Sequence, residues 1–297
     1  MSESALRAPA LEELDLRSED LVTVRYPRAS VHGIAANLVL GLFGALFATP
    51  LLWMLLSSID AHANWSVKLP TLTLSNYAAV LHAAQLRPLL NSLYLAGVAT
   101  AVTTATAVLS AYVLSRRYVP LRRTYLVFIL FASGLPVTMA IVPTYQLFIS
   151  FGWLDSLFWT SIFLAASSLP FAIWLMKNFI DDVPEELEES ASIEGAGTMR
   201  ILLRIVVPLT IPGIGVTAIV TFINAWGAFL VPLVLNSNPS DTPASVSAYN
   251  FLSAFTTPKF GQLGAFSLLF SAPVLALYLL MARRLTGAFN FGGSLRG

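Results

Sequence analysis

Pro184–Pro212 reads PEELEESASIEGAGTMRILLRIVVPLTIP and separates two long apolar runs. It opens with Asp181 and Asp182, then Pro184, then Glu185, Glu186, Glu188 and Glu189. Proline just inside a helix start, with carboxylates in the first turn, marks a helix N-terminus whose positive dipole end favours acidic groups. Gly195-Ala196-Gly197 ends that helix, because glycine enters the left-handed C-cap conformation without a Cβ penalty. Thr198 is placed to cap a second helix. In it Met199, Leu202, Leu203 and Val206 recur at helical spacing, while Arg200 and Arg204 share another face. The expectation is a short acidic helix, a small-residue turn and a helix leading back into apolar sequence. Such an elbow can dock into another protein's groove; the plainer alternative is a glycine-capped loop between membrane spans.

Outward from the elbow, the chain is poor in charge. It has 297 residues, 56% hydrophobic and only 11% charged, where a soluble domain carries about 25% charge. Six windows hold no Asp, Glu, Lys or Arg: Ala29–Ile59, Pro88–Ser115, Thr124–Leu154, Ser156–Met176, Ile205–Ser240 and Phe260–Ala282. Each is long enough to cross a bilayer, which takes about 20 helical residues. The fold class is therefore an all-α polytopic membrane protein with six transmembrane helices. A net charge of +1 gives no field for nucleic acid, and the absence of cysteine removes disulfides and thiolate metal sites.

Basic residues orient the chain. Arg7, Arg17, Arg25, Arg28, Arg116, Arg117, Arg122, Arg123, Lys177, Arg200, Arg204, Arg283, Arg284 and Arg296 fall on one side; Lys68, Arg87 and Lys259 fall on the other. That asymmetry places both termini and the elbow in the cytoplasm. The parts are then a cytoplasmic N-terminal tail (1–30), a first span with an extracytoplasmic segment (31–88), a core of five spans containing the elbow at 179–208 (89–284), and a cytoplasmic C-terminal tail (285–297). The tail's LEELDLRSEDL, with Leu11, Leu14 and Leu21, reads as a partly helical solvated leader. Because it is acidic, it does not read as a secretory signal.

The elbow resembles the cytoplasmic signature of bacterial ABC-importer permeases: Glu189-Ser190-Ala191, Gly195, then Ile205-Val206-Val207-Pro208. Ser190 and Glu194 depart from the usual Ala and Asp. Asn91-Ser92-Leu93, Ala111-Tyr112-Val113-Leu114-Ser115-Arg116, the proline-rich third span and the C-terminal Leu295-Arg296-Gly297 are similar to the carbohydrate-uptake (maltose-type) branch. Asn224-Ala225-Trp226-Gly227 departs from its usual Trp-Asn-x-Phe. The resemblance covers roughly Asn37 to the C-terminus. It implies the type I permease fold and one subunit of an ATP-driven, binding-protein-dependent importer in the bacterial plasma (inner) membrane, moving sugars or related polyhydroxylated solutes. It also implies a second homologous permease, two ATP-binding cassette subunits that bind ATP and Mg, and an extracytoplasmic solute-binding protein. The coupling residues would be Glu189, Ala191, Glu194, Gly195, Ala196, Gly197 and Pro208.

From the residues alone, no ionisable group sits near a span centre, which argues against a proton-coupled carrier and an intramembrane hydrolase. No phosphate-cradling GxxxxGK[ST] loop exists, so the chain is expected to hold no cofactor and to perform no catalysis. A secondary carrier or channel working without ATP is the remaining alternative. Polar and aromatic residues in the spans are candidates for a solute path: Asn91, Tyr94, Thr138, Tyr145, Asn224 and Trp226. Such groups also tie helices together. Pro50, Pro136, Pro143, Pro170, Pro212, Pro232 and Pro273 predict kinks, static or gating, with Pro136 and Pro143 on one helix side.

Overall fold

The computed structural model describes residues 31–64, 69–252 and 259–292. The N-terminal leader, Lys68 and the last five residues lie outside them. The described elements are helical: α1 (Val31–Ser58), α2 (Ser75–Val80), α3 (Ala83–Arg116), α4 (Arg122–Ser133), α5 (Ile141–Phe151), α6 (Leu157–Asp181), α7 (Glu185–Ile193), α8 (Thr198–Ile201), α9 (Val207–Leu209), α10 (Ile211–Trp226), α11 (Leu230–Leu235), α12 (Ala244–Asn250) and α13 (Phe260–Gly292). Among the described residues, those up to Leu51 fall in one unit and those from Leu52 onward in another.

Helices α3 and α6 form the centre of the second unit. Ala96, Ala99, Thr103, Ala107 and Ala111 of α3 have no exposed surface. At helical spacing they form a small-residue stripe, which lets two backbones approach in a medium where apolar burial drives nothing. Thr103 Oγ1 donates to the Ala165 carbonyl of α6 at 3.2 Å. The two helices are parallel. At their C-terminal ends Ser115 Oγ donates to Asp181 Oδ1 at 2.5 Å. At their N-terminal ends Asn91 Nδ2 donates to the Ser240 carbonyl and Thr160 Oγ1 to Asn236 Oδ1.

This parallel pair fixes the number of crossings. Four helices are straight spans by length and hydropathy: α1, α3, α6 and α13. The third and fifth windows are bent pairs, by 88° at residues 134–136 and by 78° at Thr210. Because α3 ends where α6 ends, the chain must return across the layer between Arg116 and Leu157, and it does so through α4 and α5. By the same logic it crosses again between Asp181 and Asn236, through α8 to α11. Counting each bent pair as one span gives up to six candidate crossings among the described residues, two of them broken rather than continuous.

The bends have local causes. Helix α4 stops at Gly134, and Pro136, which cannot donate, opens a 3₁₀ turn at Val137–Ala140. Pro136 and Pro143 therefore lie on either side of a break and do not share a helix face. In the fifth crossing Pro208 withholds the N–H due to Arg204, and a π-helical turn occupies Leu202–Val206. Thr210 Oγ1 bonds back to the Val206 carbonyl at 2.8 Å, a local bond that bends helices. Pro50, Pro88, Pro170 and Pro273 sit inside unbroken helices.

Candidate functional site

Two features stand out: the elbow at one end, and between the bent helix pairs an uncharged, mainly apolar cavity dotted with hydroxyl and amide groups. In the elbow, α7 ends in a Schellman turn, with Gly195 N–H donating to Ser192 O at 3.0 Å and Ala196 N–H to Ala191 O at 2.9 Å. Gly195 carries φ +87°, a conformation that disfavours any side chain. Pro184 is the N-cap, so the first helical residue is Glu185. Thr198 does not cap α8; Gly197 holds that position, and Thr198 Oγ1 instead accepts from Arg117 Nη2 at 3.1 Å. Of the expected apolar stripe, Leu202 and Val206 are buried, while Met199 and Leu203 face outward. Ile201, the residue just before the π turn, is buried in their place.

The coupling candidates divide between two directions. Ala191 and Ala196 pack against the chain's own core beside Met176, Ile180 and Ile201. Glu189, Glu194, Gly195, Gly197 and Pro208 are exposed, and a Cβ at Gly195 or Gly197 would meet no atom. Leu187, Ile193, Met199 and Leu203 are exposed among them, with Ile193 at 88%. The outward surface thus mixes acid and apolar groups.

Beneath the elbow lies an ion network that the acidic run concealed. Arg116 Nε donates to Glu188 Oε1 at 2.6 Å, and Tyr112 OH to Oε2 at 2.9 Å. Arg116 Nη2 also donates to the carbonyls of Ile180 and Val183 at 2.9 and 2.6 Å. Its Nη1 reaches Glu185 at 3.4 Å. Lys177 pairs with Asp181, which also accepts from Ser115. Two signals were available: the separation of Glu185 and Glu188, which puts them on one face of α7, and the tyrosine and arginine ending the second span.

The cavity, of about 560 Å³, lies between the α4 break, α6, α10 and α11. Ser133, Thr138, Ser167, Ser168, Thr221 and Asn224 contribute hydroxyl and amide groups, Phe171 and Phe229 aromatic rings, and no lining residue is charged. Ser133 and Ser167 donate to carbonyls of their own helices at 2.7 and 2.8 Å, which leaves hydroxyl lone pairs as acceptors.

Of the six expected path residues, Thr138 and Asn224 line this cavity. Asn91 is 9% exposed and spends its amide on Ser240 and Thr242. Trp226 is 3% exposed, donates from Nε1 to Phe270 O at 3.0 Å and stacks on Phe222 and Phe270. Tyr94 and Tyr145 are partly exposed and do not line the cavity.

Up to six candidate membrane spans among the described residues, an uncharged cavity and a projecting elbow are the build of a transport permease. The family model "Binding-protein-dependent transport system inner membrane component" matches residues 103–287, and the chain belongs to that family. It is 32% identical over 272 residues, 88% of this chain and 92% of the relative, to the sulfoquinovosyl glycerol transport system permease protein SmoH of Agrobacterium fabrum. It is 33% identical to the sn-glycerol-3-phosphate transport system permease protein UgpE of Yersinia enterocolitica, covering 66% of this chain and 69% of that one. In fold it is similar to a chain of a bacterial ABC transporter involved in the import of the acidic polysaccharide alginate, with TM-score 0.75, 21% identity and coverage of 86% of this chain and 96% of that one.

Proposed function

We propose that this chain is the permease subunit of an ATP-driven importer for sugars or related polyhydroxylated solutes. The observation that carries the solute class is the cavity, whose lining hydroxyls, amide and aromatic rings suit a hydroxyl-rich molecule. The names of SmoH and UgpE, both transport permeases for glycerol-containing solutes, support it. Thr138 and Asn224 contact the passing solute. The elbow, with Glu189, Gly195 and Gly197 outermost, lies on the cytoplasmic side and docks on an ATP-binding cassette subunit. Two such subunits bind ATP and Mg, a second homologous permease completes the pore, and an extracytoplasmic binding protein delivers the solute. When the cassettes close, the elbow moves as a body and the cavity changes the side to which it opens. The basic residues at the elbow end support this orientation, with both termini cytoplasmic.

Purification tests the reading. The chain should copurify with an ATPase whose activity rises with solute-loaded binding protein, and reconstituted vesicles should accumulate a sugar only with ATP inside the compartment facing the elbow. Solute flux through this chain alone, with no ATPase bound, would overturn it.

A further inference from the structure

The elbow is flanked in sequence by α6 and α10, but its side-chain grip is on α3. Two adjacent residues at the end of α3 hold its two arms. Arg116 holds α7 through Glu188, and Arg117 holds α8 through Thr198. Arg116 also caps the Ile180 and Val183 carbonyls, so the corner where α6 passes into α7 is fixed to the same point. A guanidinium held through Nε by Glu188 and through Nη2 by two carbonyls has little freedom to rotate.

The opposite end of α3 is gripped with equal care. Asn91 Nδ2 donates to the carbonyls of Ser240 and Thr242, at 2.9 and 3.1 Å. The next residue, Ser92, accepts from the Ala244 N–H at 2.8 Å through Oγ and is 2% exposed. These bonds fix the 3₁₀ turn Pro239–Asp241 and the start of α12 to α3. The two grips lie within α3, one unbroken helix of 34 residues, whose stretch from Asn91 to Arg116 runs about 38 Å at 1.5 Å per residue. Its only proline, Pro88, lies outside the gripped stretch. From Ala96 to Ala111 its small-residue face seats directly on its neighbours.

The geometry points to α3 as the rod that links the elbow to the turn at residues 239–244 on the far face. Asn91, Ser92, Arg116 and Arg117 are positioning residues at its two ends. The inference rests on the proposed function and deepens it: the far-face turn senses the docked binding protein, and α3 carries that state to the ATPase. Because coupling between two binding equilibria is reciprocal, cassette closure acts on the far-face turn through the same rod.

The two grips act in series, which makes the test specific. In the assembled importer, ATP hydrolysis is measured with and without solute-loaded binding protein. Asn91→Ala and Arg116→Met should each lower the stimulation by about tenfold, the equivalent of one or two lost hydrogen bonds. The basal rate should stay unchanged in Asn91→Ala. Sites this far apart ordinarily act additively, so the double variant decides. Linked through one rod, it should fall no lower than the worse single variant. If Arg116→Met does not assemble, Arg116→Lys takes its place, because lysine can answer Glu188 but cannot span both carbonyls. Undiminished stimulation in Asn91→Ala, or losses that multiply in the double variant, would overturn the rod while leaving the proposed function intact. A wild-type complex lacking an ATPase would overturn both.

Discussion

The Arg116 corner and the central cavity are built from opposite materials. At the corner, Arg116, Glu188, Asp181 and Lys177 answer one another, and two carbonyls and two hydroxyls complete the set. In the cavity the polar groups are hydroxyls and an amide, with no charge among them. A corner that is saturated internally is rigid, because each group is fixed by several partners. A cavity whose hydroxyls keep free lone pairs can exchange partners as a solute passes. The difference separates a part that transmits force from a part that handles cargo.

The comparison can be broken first at the elbow's tip. Gly195→Val forces a β-branched residue into a left-handed conformation, which costs about 1–2 kcal/mol or more for a side chain of that shape. The tip then rearranges, and ATP-coupled uptake should be lost while membrane insertion persists. Transport assays and membrane-fraction immunoblots read the two separately. At the corner, Glu188→Ala leaves Arg116 buried without its main partner, and such a loss costs roughly 3–5 kcal/mol. A thermal melt of the purified protein should show it, with Glu188→Gln recovering part of the loss because its amide oxygen still accepts from Arg116 while its NH2 can donate to the Tyr112 hydroxyl.

Next in size is Gly213→Ala. A Cβ there would lie 2.3 Å from Phe179 Cγ, so α10 and α6 must separate, at about 1–3 kcal/mol. Phe179→Ala in the same chain, which removes the Cγ and Cδ2 that the new methyl meets, should relieve the clash so that the two losses are less than additive. The smallest effects belong to the cavity. Asn224→Ala or Thr138→Ala removes one hydrogen bond of about 0.5–1.5 kcal/mol, so apparent solute affinity should weaken a few-fold with thermal stability unchanged. If these cavity variants melt like Glu188→Ala, the division between the two regions fails.

The sequence made the elbow legible because glycine and proline act locally. Gly195 stands where the left-handed turn was expected, and the acidic first turn of α7 precedes it. Each candidate span among the described residues overlaps one of the six charge-free windows. What they could not show was the break in two of them, since Pro136 and Thr210 bend the chain only once neighbouring helices fix the direction. Asn91 and Trp226 looked like cargo contacts because an amide or an indole in a span offers the same atoms to a solute and to a backbone carbonyl. Only the partner's position decides, and here the partners are Ser240, Thr242 and Phe270. Glu188 was hidden for the opposite reason: five residues around it are acidic or polar, and only helical phase separates the inward Glu188 from the outward Glu189.

The account depends on the elbow meeting the ATPase, and one residue reports on that directly. The chain has no native cysteine, and Ile193 at the end of α7 is 88% exposed, so Ile193→Cys provides a single reactive site. In the assembled importer it should cross-link to the ATP-binding cassette subunit, with a yield that changes between nucleotide-free and ATP-bound states. In intact cells it should resist a membrane-impermeant thiol reagent. Labelling from outside the cell, or a cross-link to no nucleotide-binding chain in either state, would contradict the account.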